Sequence, residues 1–202
     1  MQLHRHDVVA KATQLLDDYG LADLTMRRLA RELNVSPGAL YWHFADKQEL
    51  LGAVADRILE PGAAPQDDEP WDQRVHAICT TLRDALLSST DGAELVSASF
   101  AAGKSAAVTE VLARLGAAAA AAGLEAAHAD LAARTVLYYV LGFTADEQSR
   151  LQWDAVGALP DEQSVLASNP NARFAFGLRL LVTGVGHAAP TVEARVGVRP
   201  SD

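Results

Sequence analysis

Apolar residues recur at helical spacing along almost the whole chain, and no stretch of useful length alternates with the period of a strand. The pattern therefore predicts an all-α fold. The first predicted helix ends before Gly20, a residue type favoured just past a helix C-terminus. Its apolar face comprises Val8, Val9, Ala12, Leu15, Leu16 and Tyr19.

Two short helices follow, each with its own start signal. Thr25 can cap the first of them, and Asn34 can end it because Asn tolerates the left-handed conformation. Ser36-Pro37 then combines a capping hydroxyl with Pro at the first helical position. The second short helix is predicted over about residues 36–43.

The rest of the chain is predicted to be helical with one linker. Asp46 and Glu49 have capping-box spacing and predict a helix from about Lys47 to Leu59. Residues 61–70, rich in Pro, Ala and acid, are typical of a linker. We therefore predict one domain over 1–60, a second over 61–190 and a flexible tail over 191–202. Further helices are predicted at 71–88, 93–102, 105–122, 126–150 and 171–186, with a loop from Trp153 to Pro170 and no periodicity from His187 onward.

The charge of the chain neither favours nor excludes a nucleic-acid partner. The 202 residues carry a net charge of −9. Residues 1–60 hold seven Lys and Arg against nine Asp and Glu, and residues 61–202 hold ten against seventeen, so the acidity lies mostly in the second part. A DNA-binding protein needs a local basic face and not a basic average.

Cysteine content and hydropathy bear on the compartment. Cys79 is the one cysteine, so an intrachain disulfide is impossible, which fits a cytoplasmic location. The N-terminal residues lack the apolar stretch of a signal peptide. The stretch Leu115–Leu124 is too short to span a bilayer, which needs roughly 20 apolar residues. We expect no membrane partner.

Residues 25–44 carry the main chemical signal. Two short helices about three residues apart suit a helix-turn-helix, whose second helix reads bases with its N-terminal residues. If Leu40 and Phe44 point to the core, Tyr41 and His43 point outward. The predicted DNA-contacting residues are Thr25, Met26, Arg27, Arg28, Ser36, Pro37, Gly38, Ala39, Tyr41, Trp42, His43 and Lys47.

Each of these residues also has an ordinary interpretation. Trp42 could be core, Arg27 a solvated charge, and Ser36-Pro37 no more than a helix cap. Their order along the chain is what favours DNA binding.

That order resembles the tetracycline-repressor (TetR) family. The matching residues are Leu24-Thr25-Met26-Arg27-Arg28-Leu29-Ala30, Leu33 to Phe44, and Lys47-Gln48-Glu49-Leu50-Leu51. The resemblance implies that Arg27 reads a base and that Pro37, Gly38 and Ala39 face bases. It also places Thr25, Tyr41, His43 and Lys47 at phosphates, with Trp42 beside them.

A second resemblance concerns the C-terminal part. Residues 139–143, 146–148 and 173–178 resemble the tetracycline-repressor subfamily, in which these two helices form the four-helix bundle of a homodimer. An intramolecular core is the alternative for the same apolar stripe. The predicted dimer-interface residues are Val136, Val140, Phe174, Gly177, Leu178, Leu181, Val182, Gly184 and Val185.

The effector is predicted to be a small, largely apolar molecule. In the subfamily a His after an Asp-Gly turn chelates drug-bound magnesium, but Val96 stands at the corresponding position here, and Asp146 alone makes a poor metal site. We therefore expect neither tetracycline-magnesium nor any metal or other cofactor. Candidate pocket residues, each of which could equally be core, are Val96, Phe100, Leu112, Leu115, Tyr138, Tyr139 and Phe143.

The function predicted from these features is a homodimeric repressor that a small molecule releases from a palindromic operator. An activator of the same fold and a helical small-molecule-binding module without DNA activity are the alternatives. An enzyme is disfavoured, because His76 and Cys79 fall in an ordinary helix pattern and no HExxH, GxSxG or glycine-rich phosphate loop occurs.

Overall fold

A computed structural model of the chain describes residues 3–60, 69–160 and 169–188, and every regular element within these ranges is a helix. This confirms the all-α prediction. The helices are α1 (Arg5–Tyr19), α2 (Met26–Glu32), α3 (Pro37–Tyr41), α4 (Lys47–Leu59), α5 (Trp71–Leu87), α6 (Gly92–Ala102), α7 (Ala106–Ala121), α8 (Ala126–Ala155) and α9 (Pro170–Ala188). Most of the predicted linker, and the predicted tail, lie outside the described residues.

Two predicted boundaries are wrong at the C-terminal side. Helix α8 runs through the start of the predicted loop to Ala155, and Gly157, with a φ of 67°, follows its end. The last turns are held because Gln152 donates a hydrogen bond to Asp91. Helix α9 likewise includes His187 and Ala188, which the sequence placed in an aperiodic tail.

Helices α1 to α4 form an N-terminal head around an apolar core. The largest enclosed side chains there belong to Leu16, Leu24, Leu29, Leu40, Phe44 and Leu50. Burial of each such side chain stabilises the fold by about 1.5–3 kcal/mol. Because α2 and α3 contribute only a few of these side chains each, their orientation depends on packing against α1 and α4.

Helices α5 to α9 form the body, and a buried ion pair ties three of them together. The Arg83 guanidinium on α5 donates to both carboxylate oxygens of Glu147 on α8, at 2.9 and 2.6 Å, and to Asn171 Oδ1 of α9 at 2.9 Å. Both charged side chains are buried. Such a pair fixes the register of its helices, since loss of one partner would leave a buried charge uncompensated.

Head and body meet at two hydrogen-bonded contacts. In one, Asp56 on α4 accepts from the Ser105 hydroxyl at 2.6 Å and from the Ala107 amide at 2.9 Å, at the start of α7. Nearby, α4 approaches the α6–α7 turn so closely that a Cβ on Gly52 would overlap the carbonyl oxygen of Lys104. These contacts attach α4, and with it the rest of the head, to the body.

The second contact joins the α5–α6 turn to the end of α1. Asp91, which adopts a left-handed conformation with φ 53°, accepts from the Leu21 amide at 2.9 Å and from Gln152 at 2.7 Å. The Thr90 amide and hydroxyl bond to Asp17. One short turn thus contacts both the head and α8.

Candidate functional site

The two short helices of the head are each set by a side-chain cap. Thr25 Oγ1 accepts from the Arg28 amide at 3.1 Å, and Ser36 Oγ accepts from the Ala39 amide at 3.3 Å. Asn34 lies between them with a φ of 52°. The predicted caps and the left-handed turn are therefore present, and they separate α2 from α3 by four residues.

Helix α3 has one buried and one open side. Leu40 and Phe44 are fully enclosed, whereas 53% of Tyr41 and 91% of Trp42 are exposed. Ser36, Pro37 and Gly38 at the start of the helix are exposed too, and Ala39 is half-buried. The structure thus rules out the alternative in which Trp42 is core, and leaves two aromatic rings on the surface beside an open helix start.

The two arginines near the start of α2 differ in exposure and in their contacts. Arg27 is exposed and makes no ion pair with a described residue. Arg28 is instead bound within the head: it pairs with Asp23 at 2.7 Å and its guanidinium lies 3.7 Å from the Tyr19 ring centre. Of the two arginines, Arg27 is therefore the one whose guanidinium can bind a group outside the chain.

Met26 is a correction to the predicted DNA-contacting set. Its side chain is 8% exposed and packs in the head core with Leu29 and Ala30. At the first position of α2 it lies three and four residues before these two, on the same inward face. Its side chain is therefore not available for DNA.

A cluster of contacts made by Arg5, which the sequence did not reveal, supports the end of α3. We call it the Arg5 bracket, and it comprises Arg5, His43, Phe44 and Glu49. The Arg5 guanidinium donates to the His43 carbonyl at 2.5 Å and to Glu49 at 3.0 Å, and lies 4.1 Å from the Phe44 ring centre. Arg5 is 38 and 44 residues from its two hydrogen-bond partners, so no local spacing could have signalled it. The bracket fixes the backbone at His43, and the side chains of His43 and Lys47 are both half-buried.

The acidic member of the bracket is kept ionised. The Ala45 amide and the Arg5 guanidinium both donate to the Glu49 carboxylate, and these bonds lower its pKa below the ordinary value of 4.5. Asp46 caps α4 by accepting from the Glu49 amide at 2.7 Å. The predicted capping box is thus half formed. The Asp46 side chain accepts from the Glu49 amide, but the Glu49 carboxylate accepts from the Ala45 amide and not from the Asp46 amide.

The seven predicted pocket residues lie at several different places in the body. Val96 and Leu115 are enclosed core residues. Phe100 contacts Tyr138 on one side of α8, with ring centres 5.9 Å apart. On another side Tyr139 stacks with Phe174, and Phe143 meets Phe174 edge to face. Leu112 is half-buried on α7. The predicted set is thus divided between core positions and two separate aromatic contacts, and its role in effector binding stays a prediction.

The predicted dimer-interface residues are also mostly internal. Val136, Val140, Phe174, Leu178 and Val182 are buried within the subunit, and Gly177 lies against the Tyr139 hydroxyl, which donates to the Phe174 carbonyl at 2.8 Å. For these the intramolecular alternative holds. Leu181 and Val185 are half-buried, and Gly184 is exposed.

A different apolar surface on α8 and α9 remains exposed. We call it the α8–α9 stripe, and it includes four large side chains that are each 54–59% exposed. An open groove of about 420 Å³ between α8 and α9 adjoins it, and Thr135, Leu180 and Gly184 of the stripe line this groove. The members of the stripe are Leu131, Thr135, Tyr138, Phe176, Leu180 and Gly184.

Two further properties concern the described part of the chain. Over residues 3–60, 69–160 and 169–188, no three His, Cys, Asp or Glu side chains come close enough together to hold a metal ion. No helix in these ranges is both long and apolar enough to cross a membrane.

Comparisons with known proteins relate both parts of the chain to the same family. Residues 8–54 match the model of "Bacterial regulatory proteins, tetR family", and residues 64–158 match that of the "Tetracyclin repressor-like, C-terminal domain". The class C tetracycline repressor protein of Escherichia coli is 31% identical over 191 residues, which cover 93% of this chain and 85% of that protein.

Solved structures are similar over nearly the same length. Mycobacterium smegmatis BioQ is 63% identical with a TM-score of 0.86, covering 92% of this chain and 99% of BioQ. A crystal structure of BioQ with its natural double-stranded DNA operator gives 60% identity and a TM-score of 0.80, over the same 92% and 99%. The chain belongs to the tetR family of bacterial regulatory proteins.

Proposed function

We propose that two copies of this chain form a cytoplasmic repressor, without enzymatic activity, that holds a palindromic operator through their α3 helices. Arg27 and the segment from Pro37 to Ala39 face bases, and Arg27 is suited to a guanine edge because a guanidinium can donate to two acceptors there. Phosphates are bound by Thr25, Tyr41, His43 and Lys47, with Trp42 beside them. The crystal structure of the similar protein BioQ with its natural double-stranded DNA operator supports operator binding by this fold.

The exposure of Trp42 is the observation that carries the proposal. A large aromatic side chain that is 91% exposed contributes little to folding, and a single exposed apolar residue need not mark a site. Here, however, Trp42 directly follows Tyr41, the last residue of α3, and the start of that short helix is open as well. Aromatic rings with a polar N–H or O–H suit a surface that contacts sugar and phosphate.

The α8–α9 stripe is the proposed dimer interface. Apolar residues exposed together on one surface mark an interaction site, and a two-fold axis lets the same patch on each copy bury the other. Gly184 and the groove beside Leu180 leave room for a helix of the second copy. Dimerisation then fixes the distance between the two α3 helices.

Release requires an effector that prefers a different spacing of the heads. A ligand that binds better to such a state lowers operator affinity by the ratio of its two affinities. The head moves with α4 and the α5–α6 turn, so the junction described above is the element that the ligand shifts.

The proposal is tested by measuring how tightly the protein binds a labelled fragment of its own promoter. Fluorescence anisotropy at low salt gives this affinity. Trp42→Ala should weaken binding by about 10-fold, the change expected from losing roughly 1.4 kcal/mol of contact. Trp153→Ala is the matched control, because Trp153 is 57% exposed on α8, in the body and not in the head. Failure of the wild type to bind at low salt, or equal effects of the two variants, would count against DNA reading by α3.

A further inference from the structure

The short helix α3 depends on its neighbours for its orientation. It consists of five residues, little more than one helical turn. Ser36 caps its start, and Leu40 and Phe44 bury one side of the segment in the head. So short a helix is stabilised mainly by such tertiary contacts and not by its own hydrogen bonds. The contacts at its far end, where residues 42–46 lead into α4, therefore influence how α3 is presented.

Arg5 supplies contacts at this far end. Its guanidinium donates to the His43 carbonyl at 2.5 Å and to the Glu49 carboxylate at 3.0 Å, and lies 4.1 Å from the Phe44 ring centre. The Glu49 carboxylate also accepts from the Ala45 amide at 2.9 Å. The Arg5 bracket therefore contacts three consecutive residues of the segment between α3 and α4.

The helix that carries Arg5 is held along its length and at its other end. Helix α1 has 15 residues, so it is about 22 Å long, and five of its apolar side chains are buried. At its C-terminal end the Thr90 amide and hydroxyl donate to Asp17, and the Leu21 amide just beyond it donates to Asp91. Arg5 is therefore a fixed anchor, and the bracket connects the end of α3 to a helix that the body holds.

We propose that Arg5 is a positioning residue for operator binding. Through the His43 backbone and Glu49 it fixes the angle at which α3 meets the DNA, without contacting the DNA itself. When the bracket is broken, the segment after α3 has more freedom, and ordering it on the operator costs free energy that lowers the affinity. Binding to unrelated DNA depends on charge and not on this angle. The inference rests on the proposed function, because α3 has to be the helix that binds the operator.

A direct contact between Arg5 and a phosphate is the competing explanation, because 51% of the Arg5 side chain is exposed. The two explanations differ in the sign of one effect. Glu49→Gln removes a negative charge, and on electrostatic grounds alone this change strengthens binding to the DNA polyanion. If Arg5 acts by positioning, the same substitution weakens operator binding, because it breaks the bracket.

Fluorescence anisotropy of the full chain with its labelled promoter fragment, and with an unrelated fragment of equal length, tests the inference. Arg5→Gln and Glu49→Gln should each weaken promoter binding by about 10-fold, the size expected for one lost charge-assisted hydrogen bond. Together they should give the loss of one substitution and not the product of two, because both break the same bracket. Binding to the unrelated fragment should not weaken, and the salt dependence of promoter binding should not change.

Arg5→Lys keeps the charge and is the milder variant. An ammonium group cannot donate to both acceptors and stack on Phe44 as the planar guanidinium does, so its promoter affinity should fall between those of wild type and Arg5→Gln. Two controls lie outside the bracket. Arg57→Gln removes an exposed cation from α4 and should leave the affinity unchanged, and Glu32→Gln removes an exposed carboxylate from α2 and should not lower it.

Circular dichroism melting of each variant identifies losses caused by unfolding, which reduce binding to both fragments alike. Equal losses on both fragments, stronger promoter binding by Glu49→Gln, wild-type affinity in Arg5→Lys, or a salt slope flattened by about one unit in Arg5→Gln would overturn the inference. A wild-type protein that does not bind its promoter contradicts the proposed function instead, so the two failures are distinguishable.

Discussion

At the scale of single residues, the head separates side chains that hold the fold from those that are free to bind. Arg5 and Arg28 are both bound within the head, to Glu49 and Asp23 respectively. Arg27 carries a charge that no described residue neutralises, and Trp42 has almost no contact with the protein. Sequence position alone does not separate adjacent residues such as Arg27 and Arg28, which take opposite roles.

Arg27→Ala and Lys47→Ala should weaken operator binding in different ways. Arg27→Ala should cost roughly 1–3 kcal/mol of operator binding and relax the preference at one base pair, because a base contact is lost. Lys47→Ala should weaken binding to all sequences alike and flatten the salt dependence by about one unit, because a phosphate contact is lost. Anisotropy titrations over a salt series, with operators mutated one pair at a time, measure both. An unchanged salt slope would remove Lys47 from the phosphate-binding residues.

Glu49, the acidic member of the Arg5 bracket, predicts a pH-dependent difference in stability. Because the folded-state pKa of Glu49 is lowered, its carboxylate stabilises the fold at neutral pH, and this contribution is lost as the pH falls from about 4.5 through the folded-state pKa. Urea unfolding should therefore find Glu49→Gln less stable than wild type at pH 7, with the difference shrinking below pH 4.5. A difference that stays constant down to pH 3 would show that ionisation of Glu49 is not the cause.

At the scale of elements, local sequence signals predicted where the helices start. They did not predict which face of a short helix is buried or which residues distant in sequence are in contact. Thr25, Ser36 and Asn34 act within three residues of their own positions, so the sequence contains the whole signal. Met26 is included in the predicted DNA-contacting set, although its spacing to Leu29 and Ala30 indicates the inward face. The Arg5 bracket joins residues 44 positions apart and leaves no such signal.

The same limit explains the dimer assignment. The apolar period of Phe174, Leu178 and Val182 was found correctly, but the strongest apolar stripe of a helix faces its own core. Phe176 and Leu180 form a second apolar stripe on the other side of α9. A helix that is apolar on two sides indicates a second partner, and that signal was present in the sequence.

Gly52→Ala should disturb the junction between head and body. The added methyl group would overlap the Lys104 carbonyl, a backbone atom that cannot move alone, so α4 must shift. We expect a loss of roughly 1–3 kcal/mol in unfolding free energy together with weaker operator binding. Gly116→Ala on α7 is the control, because a Cβ there meets no atom within 4 Å and should raise stability by about 0.5–1 kcal/mol. Equal thermal midpoints for the two variants would mean that the close approach at Gly52 is not required.

At the scale of the whole molecule, the proposed function requires two copies that associate through the α8–α9 stripe. Leu180→Asp should shift the protein from dimer to monomer in sedimentation velocity, because it places a charge in the centre of the proposed apolar interface. Ala113→Asp adds the same charge to an exposed position on α7 and should leave the dimer intact. A dimeric Leu180→Asp protein with a normal circular dichroism spectrum would place the interface elsewhere.

The distance between the two α3 helices on DNA tests the central claim most directly. Cys79 is buried, and burial raises its pKa to about 12, so a thiol-reactive iron chelate should label Ala45→Cys, which is exposed just beyond α3, and spare Cys79. Bound to its promoter fragment, the labelled dimer should cut the DNA in two symmetric clusters about one helical turn apart or somewhat more, roughly 34–36 Å or longer. Cuts in a single cluster, or scattered evenly along the fragment, would contradict a dimer that reads its operator with paired α3 helices.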